Sequence, residues 1–104
     1  MSQFEGKVGF VTGGGTGIGL ACARSIVAGG GRVTLAGRRE DVLRDAARAL
    51  GASADWARCD VTDDASVDAA VAQVVERHGG LHVAVNAAGA GSIGSVLNAT
   101  SAVP

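Results

Sequence analysis

The stretch Thr12-Gly13-Gly14-Gly15-Thr16-Gly17-Ile18-Gly19 decides how the chain is read. Just before it lies an unbroken apolar run, Val8-Gly9-Phe10-Val11; just after it Ile18, Cys22 and Ile26 recur every four residues. The first run has the form of a buried strand, the second that of one face of a helix. The glycines therefore occupy the turn in which a strand passes into a helix. A helix start carries unpaired backbone N–H groups and the positive end of the helix dipole. Such an end suits a phosphate or pyrophosphate. Glycine suits the turn because a Cβ would hinder both the tight bend and close approach of a ligand to the backbone.

Working outward, the alternation repeats. A strand over 7–12 and a helix over 17–28 end at Gly29-Gly30-Gly31, where glycine accepts a left-handed cap. A second strand over 32–36 leaves through Gly37-Arg38-Arg39. Glu40 and Asp41 open a second helix with acid at its positive end; Val42, Leu43, Ala46, Ala47 and Leu50 form its apolar face and Gly51 stops it. A short third strand over 55–59 holds Trp56 as a packing residue and leaves through Asp60-Val61. Thr62 is the expected N-cap of a third helix, with Asp63 and Asp64 in its first turn. Val67, Val71, Val74, Val75 and His78 mark that helix's apolar stripe. His78 is read as a surface residue at the helix end, and Gly79-Gly80 closes the helix. A fourth strand over 81–85, with His82 in a structural role, leaves through Asn86-Ala87-Ala88-Gly89. Thr100-Ser101 has the form of a further helix cap.

Strands that are apolar throughout and alternate with helices describe a parallel sheet covered on both faces. Right-handed crossovers give an α/β, Rossmann-type doubly wound arrangement with strand order 3-2-1-4. Ligands of such sheets bind at the carboxyl ends of the strands, where the order reverses. The glycine turn, Arg38, Asp60-Val61 and Asn86–Gly89 all fall at those ends, so four separate segments converge on one rim.

Composition narrows the partners. The chain has 104 residues, is 47% apolar and carries a net charge of −1. That is one modest domain without a basic field, so neither nucleic acid nor an anionic membrane is expected. The uncharged stretch after Gly79 is too broken by Asn86, Asn98, serines and glycines to span a bilayer. The start lacks the basic-then-apolar order of a signal peptide. Cys22 and Cys59 lack metal-ligand spacing and read as small core hydrophobes in a reducing, cytoplasmic setting.

A glycine turn alone leaves dehydrogenases, methyltransferases and flavoproteins open; a P-loop is excluded because no Lys-Ser/Thr follows the glycines. Thr12-Gly13-x-x-x-Gly17-Ile18-Gly19, Asp60-Val61 and Asn86-Ala87-Ala88-Gly89, in this order and at these intervals, resemble the short-chain dehydrogenase/reductase family over residues 7–100. A methyltransferase reading leaves the last two motifs unexplained. The resemblance implies a single Rossmann domain that binds a nicotinamide dinucleotide and transfers hydride between it and an alcohol or carbonyl. It implies that Gly13, Gly15 and Thr16, with Gly17, Ile18 and Gly19, meet the pyrophosphate. Asp60 would bond the adenine amino group, with Val61 against the ring. Asn86, Ala87, Ala88 and Gly89 would line the ribose and the approach to the nicotinamide. The family often has Asn where Ala87 stands.

At the end of strand two an acid would pair with the ribose hydroxyls of NAD and repel a 2′-phosphate. Gly37 stands there, followed by two arginines, and a guanidinium binds phosphate through parallel hydrogen bonds. NADP is therefore the expected cofactor and NAD the alternative, with Arg38 the main phosphate contact and Arg39 secondary. The family's chemistry implies a Tyr, a Lys four residues on and a Ser. This sequence has no tyrosine, and its one lysine, Lys7, lies away from the rim. No catalytic residue is assigned. The expectation is the N-terminal part of a longer enzyme, which would meet an alcohol or carbonyl substrate only with a C-terminal half. Failing that, the chain is a non-catalytic dinucleotide-binding module or an inactive truncated fragment. An open edge at strand four would favour self-association.

Overall fold

The computed structural model describes residues 3–13, 17–60 and 62–86. Their elements run β1 (Val8–Thr12), α1 (Gly17–Ala28), β2 (Arg32–Gly37), α2 (Glu40–Leu50), β3 (Ala54–Arg58), α3 (Asp64–His78) and β4 (Val83–Asn86). The four strands form one parallel sheet in the order β3-β2-β1-β4. This is the expected Rossmann-type order, and all strand termini that matter for the rim lie on one side of it.

The pleat sorts β1 between two cores. Val8 and Phe10 join Val67, Ala70, Val71 and Val74 of α3 on one face of the sheet. Val11 faces the other way, with Ala23 and Ile26 of α1 and Leu43, Ala46 and Ala47 of α2. Helices therefore cover both faces, and β1 is buried along its whole length. Phe10 and Val11 are each 0% exposed, and burial of such a side chain stabilises the fold by about 1.5–3 kcal/mol. Trp56 packs half-buried against the α1–α2 core, the packing role expected of it.

The buried stripe of α1 differs from the expected one. Gly19, Ala23 and Ile26 face the sheet, whereas Ile18 is 76% exposed and Cys22 only half-buried. A stripe at 19, 23 and 26 steps by four and then three and follows the 3.6-residue turn; an every-fourth stripe drifts off the face. Small residues at its start also let the helix approach the strands closely. Cys59 is buried, as expected.

Two expectations for α3 are corrected. Its N-cap is Asp63, whose carboxylate accepts from the Ala65 N–H at 3.0 Å. Thr62 instead turns back: its N–H and hydroxyl both donate to Asp60 Oδ1, at 3.0 and 2.6 Å. His78 is not a surface residue, since its side chain is 10% exposed and its Nε2 lies 3.0 Å from Asp55 Oδ2. Arg77 Nη1 reaches the same oxygen at 2.9 Å, and the Thr34 hydroxyl donates to Asp55 Oδ1. One carboxylate thus fastens β3 to β2 and to the last turn of α3. His82 has the structural role expected: its Nδ1 accepts from the Val8 N–H at 3.0 Å, and its own N–H donates to the Val8 carbonyl at 2.9 Å. The expected cap at Thr100-Ser101 lies outside the described residues.

Candidate functional site

The rim is built by register. Thr12, the last residue of β1, is level with Ala36 of β2 and Asn86 of β4, and Gly37 is level with Arg58 of β3. Because all pairings are parallel, the carboxyl ends of the four strands lie on the same side of the sheet. The Gly13 N–H donates to the Ala36 carbonyl at 2.8 Å, and the Cys59 N–H to the Gly37 carbonyl at 2.7 Å. These bonds carry the sheet one residue beyond its strands and hold neighbouring exits together.

Gly13 and Gly17 both have positive φ, +66° and +59°. That left-handed backbone is costly for any residue with a Cβ, so both ends of the turn require glycine. Gly17 begins α1, Gly19 is buried and Ile18 stands exposed beside the turn. Gly14, Gly15 and Thr16 lie outside the described residues, as do Val61, Ala87, Ala88 and Gly89.

Between the exits of β2 and β3 opens a cleft of about 310 Å³ lined by Arg38, Arg58, Cys59, Asp60 and Ser66. Asp60 is held from both sides. Its N–H donates to Ser66 Oγ at 3.0 Å, and its carboxylate accepts both donors of Thr62. Those two hydrogen bonds, aided by the charges of Arg38 and Arg58, set the Asp60 carboxyl below the ordinary range; it is an anion at neutral pH. Burial pushes the Cys59 thiol up, with the Asp60 and Asp63 charges adding to the effect against a hydrogen bond from Ser66. A thiol so placed stays protonated and is a wall of the cleft, not a nucleophile.

Arg38 and Arg39 part company. Arg38 lines the cleft. Arg39 is the N-cap of α2 without a capping side-chain bond, is 77% exposed and lies 4.0 Å from Asp41. Arg58 and Ser66 line the cleft although no motif marks them. Arg58 comes beside Arg38 through the parallel pairing of β2 with β3, which the linear sequence does not display. Its one mark in the sequence is its place two residues before Asp60. Among the described residues no cluster of His, Cys, Asp or Glu could hold a metal ion, and no helix is long and apolar enough to cross a membrane.

A parallel sheet of this order, with a glycine turn after its first strand, is of the Rossmann type. The family model for short chain dehydrogenases matches residues 7–103, and the chain belongs to that family of nicotinamide-dependent oxidoreductases. It is 40% identical over 86 residues to the 2,5-dichloro-2,5-cyclohexadiene-1,4-diol dehydrogenase of Sphingobium indicum, covering 83% of this chain and 34% of that enzyme. It is 36% identical over 102 residues to a sorbitol dehydrogenase of Cereibacter sphaeroides, covering 94% of this chain and 38% of the enzyme. Among solved structures, a citronellol catabolism dehydrogenase (AtuB) of Pseudomonas aeruginosa superposes with a TM-score of 0.77 at 35% identity, over 82% of this chain and 37% of that one. The chain thus spans about a third of the length of these relatives.

Proposed function

We propose that this chain is the dinucleotide-binding part of a short-chain dehydrogenase/reductase, and that it takes NADP(H) in preference to NAD(H). The observation that carries the preference is Arg38, which lines the cleft at the exit of β2, where an acid would select the free ribose hydroxyls of NAD. In this reading the turn from Gly13 to Gly19 brings the backbone against the pyrophosphate, Gly15, Thr16 and Ile18 included. Asp60 and Val61 hold the adenine, and Asn86 to Gly89 line the path to the nicotinamide. Arg38 takes the 2′-phosphate, and Arg39 adds its charge from the start of α2. The whole protein transfers hydride between the cofactor and an alcohol or carbonyl substrate in the cytoplasm.

The test is a direct comparison of dissociation constants for NADPH and NADH on the purified chain. A charge-assisted contact to phosphate is worth about 1.5–3 kcal/mol, so NADPH is expected to bind at least tenfold more tightly. Equal or tighter NADH binding overturns the assignment of Arg38. The 104 residues supply binding groups but no proton-transfer pair, having no tyrosine and a lone lysine. The chain by itself is therefore expected to bind without turnover, and cofactor-dependent carbonyl reduction at enzyme-like rates would overturn that.

A further inference from the structure

We infer that Arg58 is the second arm of a two-guanidinium clamp on the cofactor's 2′-phosphate, and hence a specificity-determining residue; this rests on the dinucleotide reading above. Arg58 ends β3 level with Gly37 of β2, so it stands across a strand pair from Arg38. The Cys59 N–H bond to the Gly37 carbonyl, 2.7 Å, fixes that neighbourhood. Both arginines are exposed and both line the 310 Å³ cleft. Neither has a carboxylate within ion-pair distance among the described residues. Arg39, Arg44 and Arg77 each have one, at 4.0, 3.7 and 2.9 Å.

Two like charges therefore face one cleft. The single carboxylate that lines it, Asp60, is tied through Oδ1 to Thr62. Both guanidinium charges act on that carboxylate and help keep it ionised, yet they outnumber it. A phosphate monoester near neutral pH carries about −1.5 to −2 charge and three acceptor oxygens. One guanidinium takes two oxygens in parallel hydrogen bonds, which leaves the third for the other arm. A ribose bearing only hydroxyls offers nothing to balance the pair. The clamp thus favours the phosphorylated ribose through charge and through geometry.

The experiment titrates the chain, by calorimetry, with adenosine 2′,5′-bisphosphate and with adenosine 5′-monophosphate, which differ only in the 2′-phosphate. Arg58→Ala is expected to lower affinity for the bisphosphate about tenfold and to leave the monophosphate within twofold. Arg58→Lys keeps the charge and the stem but not the fork; it is expected to lose about threefold on the bisphosphate alone. Arg24→Ala, an equal charge change on the exposed side of α1, should change neither. If the unmodified chain prefers the bisphosphate and Arg38→Ala abolishes the preference while both Arg58 variants keep it, the clamp is refuted and the dinucleotide reading stands. Equal losses on both ligands also refute the clamp. If the unmodified chain shows no preference between the two ligands, the assignment of the 2′-phosphate to this cleft falls, and the clamp with it.

Discussion

Replacement of Asp55 by Ala should be among the most damaging single changes outside the apolar cores. The carboxylate accepts from Thr34, Arg77 and His78 at once. Thr34 is 1% exposed, so its hydroxyl would lose its partner without gaining water, at a cost of about 1–3 kcal/mol. His78, 10% exposed in its side chain, loses the same partner and adds a cost of similar kind. The Arg77 side chain is 47% exposed, and its ion pair is worth only about 0–1 kcal/mol after solvent screening. Taken near the lower end of each range, these give a loss of about 3 kcal/mol, against roughly 5–15 kcal/mol for a domain of this size. With a urea slope of about 1–3 kcal/mol per molar, the midpoint should fall by roughly 1–3 M in a denaturation followed by circular dichroism at neutral pH. The pH dependence has a definite sign. Burial alone would raise the Asp55 carboxyl, but the hydrogen bonds from Thr34, Arg77 and His78 together hold it below its ordinary value. Its contribution is therefore present above the unfolded carboxyl value, about 3.9, and is lost as pH falls through the lower folded value. The gap between parent and variant should accordingly narrow in strong acid. Asp55→Asn, which keeps an acceptor for Thr34 and removes the charge, should lie between the two. A loss below about 1 kcal/mol for Asp55→Ala, or a gap unchanged in strong acid, would refute the reasoning.

Two further outcomes test the rim itself. Gly17→Ala meets open space but a φ of +59°, so it should cost about 1–2 kcal/mol through backbone strain alone and weaken dinucleotide binding; an unchanged melting temperature would contradict the left-handed turn. Thr62→Val removes the hydroxyl that bonds Asp60 at 2.6 Å and should move the Asp60 carboxyl upward in a carboxyl-carbon NMR titration. No movement would mean that the loop, not this hydroxyl, sets the charge on Asp60.

The alternation of strands and helices can be read from the sequence because β1, β2 and β4 are largely apolar and each break carries glycine or acid; β3, Ala-Asp-Trp-Ala-Arg, is the exception. α2 likewise starts at Glu40 and ends before Gly51, where charge and glycine announce it. What escaped was whatever depends on distance along the chain. The sequence shows His78 only as a helix-end residue, because its partner Asp55 stands 23 residues away and a lone imidazole there carries no mark of that carboxylate. Arg58 carries no mark of Arg38 in the linear sequence because its position beside that residue is set by β2–β3 register. Periodicity puts Ile18 on the buried face because a large apolar residue outweighs Gly19 and Ala23 there, although the smaller pair is what meets the sheet. Thr62 lost the cap to Asp63 by one residue, since Asp60 had already claimed its hydroxyl.

The strand that leads the chain is also an interior strand. β1 pairs with β2 on one side and with β4 on the other, and Gly9 meets Val83, 74 positions later. During synthesis its second edge waits for the fourth strand to clear the ribosome. Such a long-range closure comes late and slowly, and transiently exposed strand edges are where nascent chains aggregate. The architecture that gives the glycine turn its central seat therefore makes the first strand made the last one to be paired on both edges.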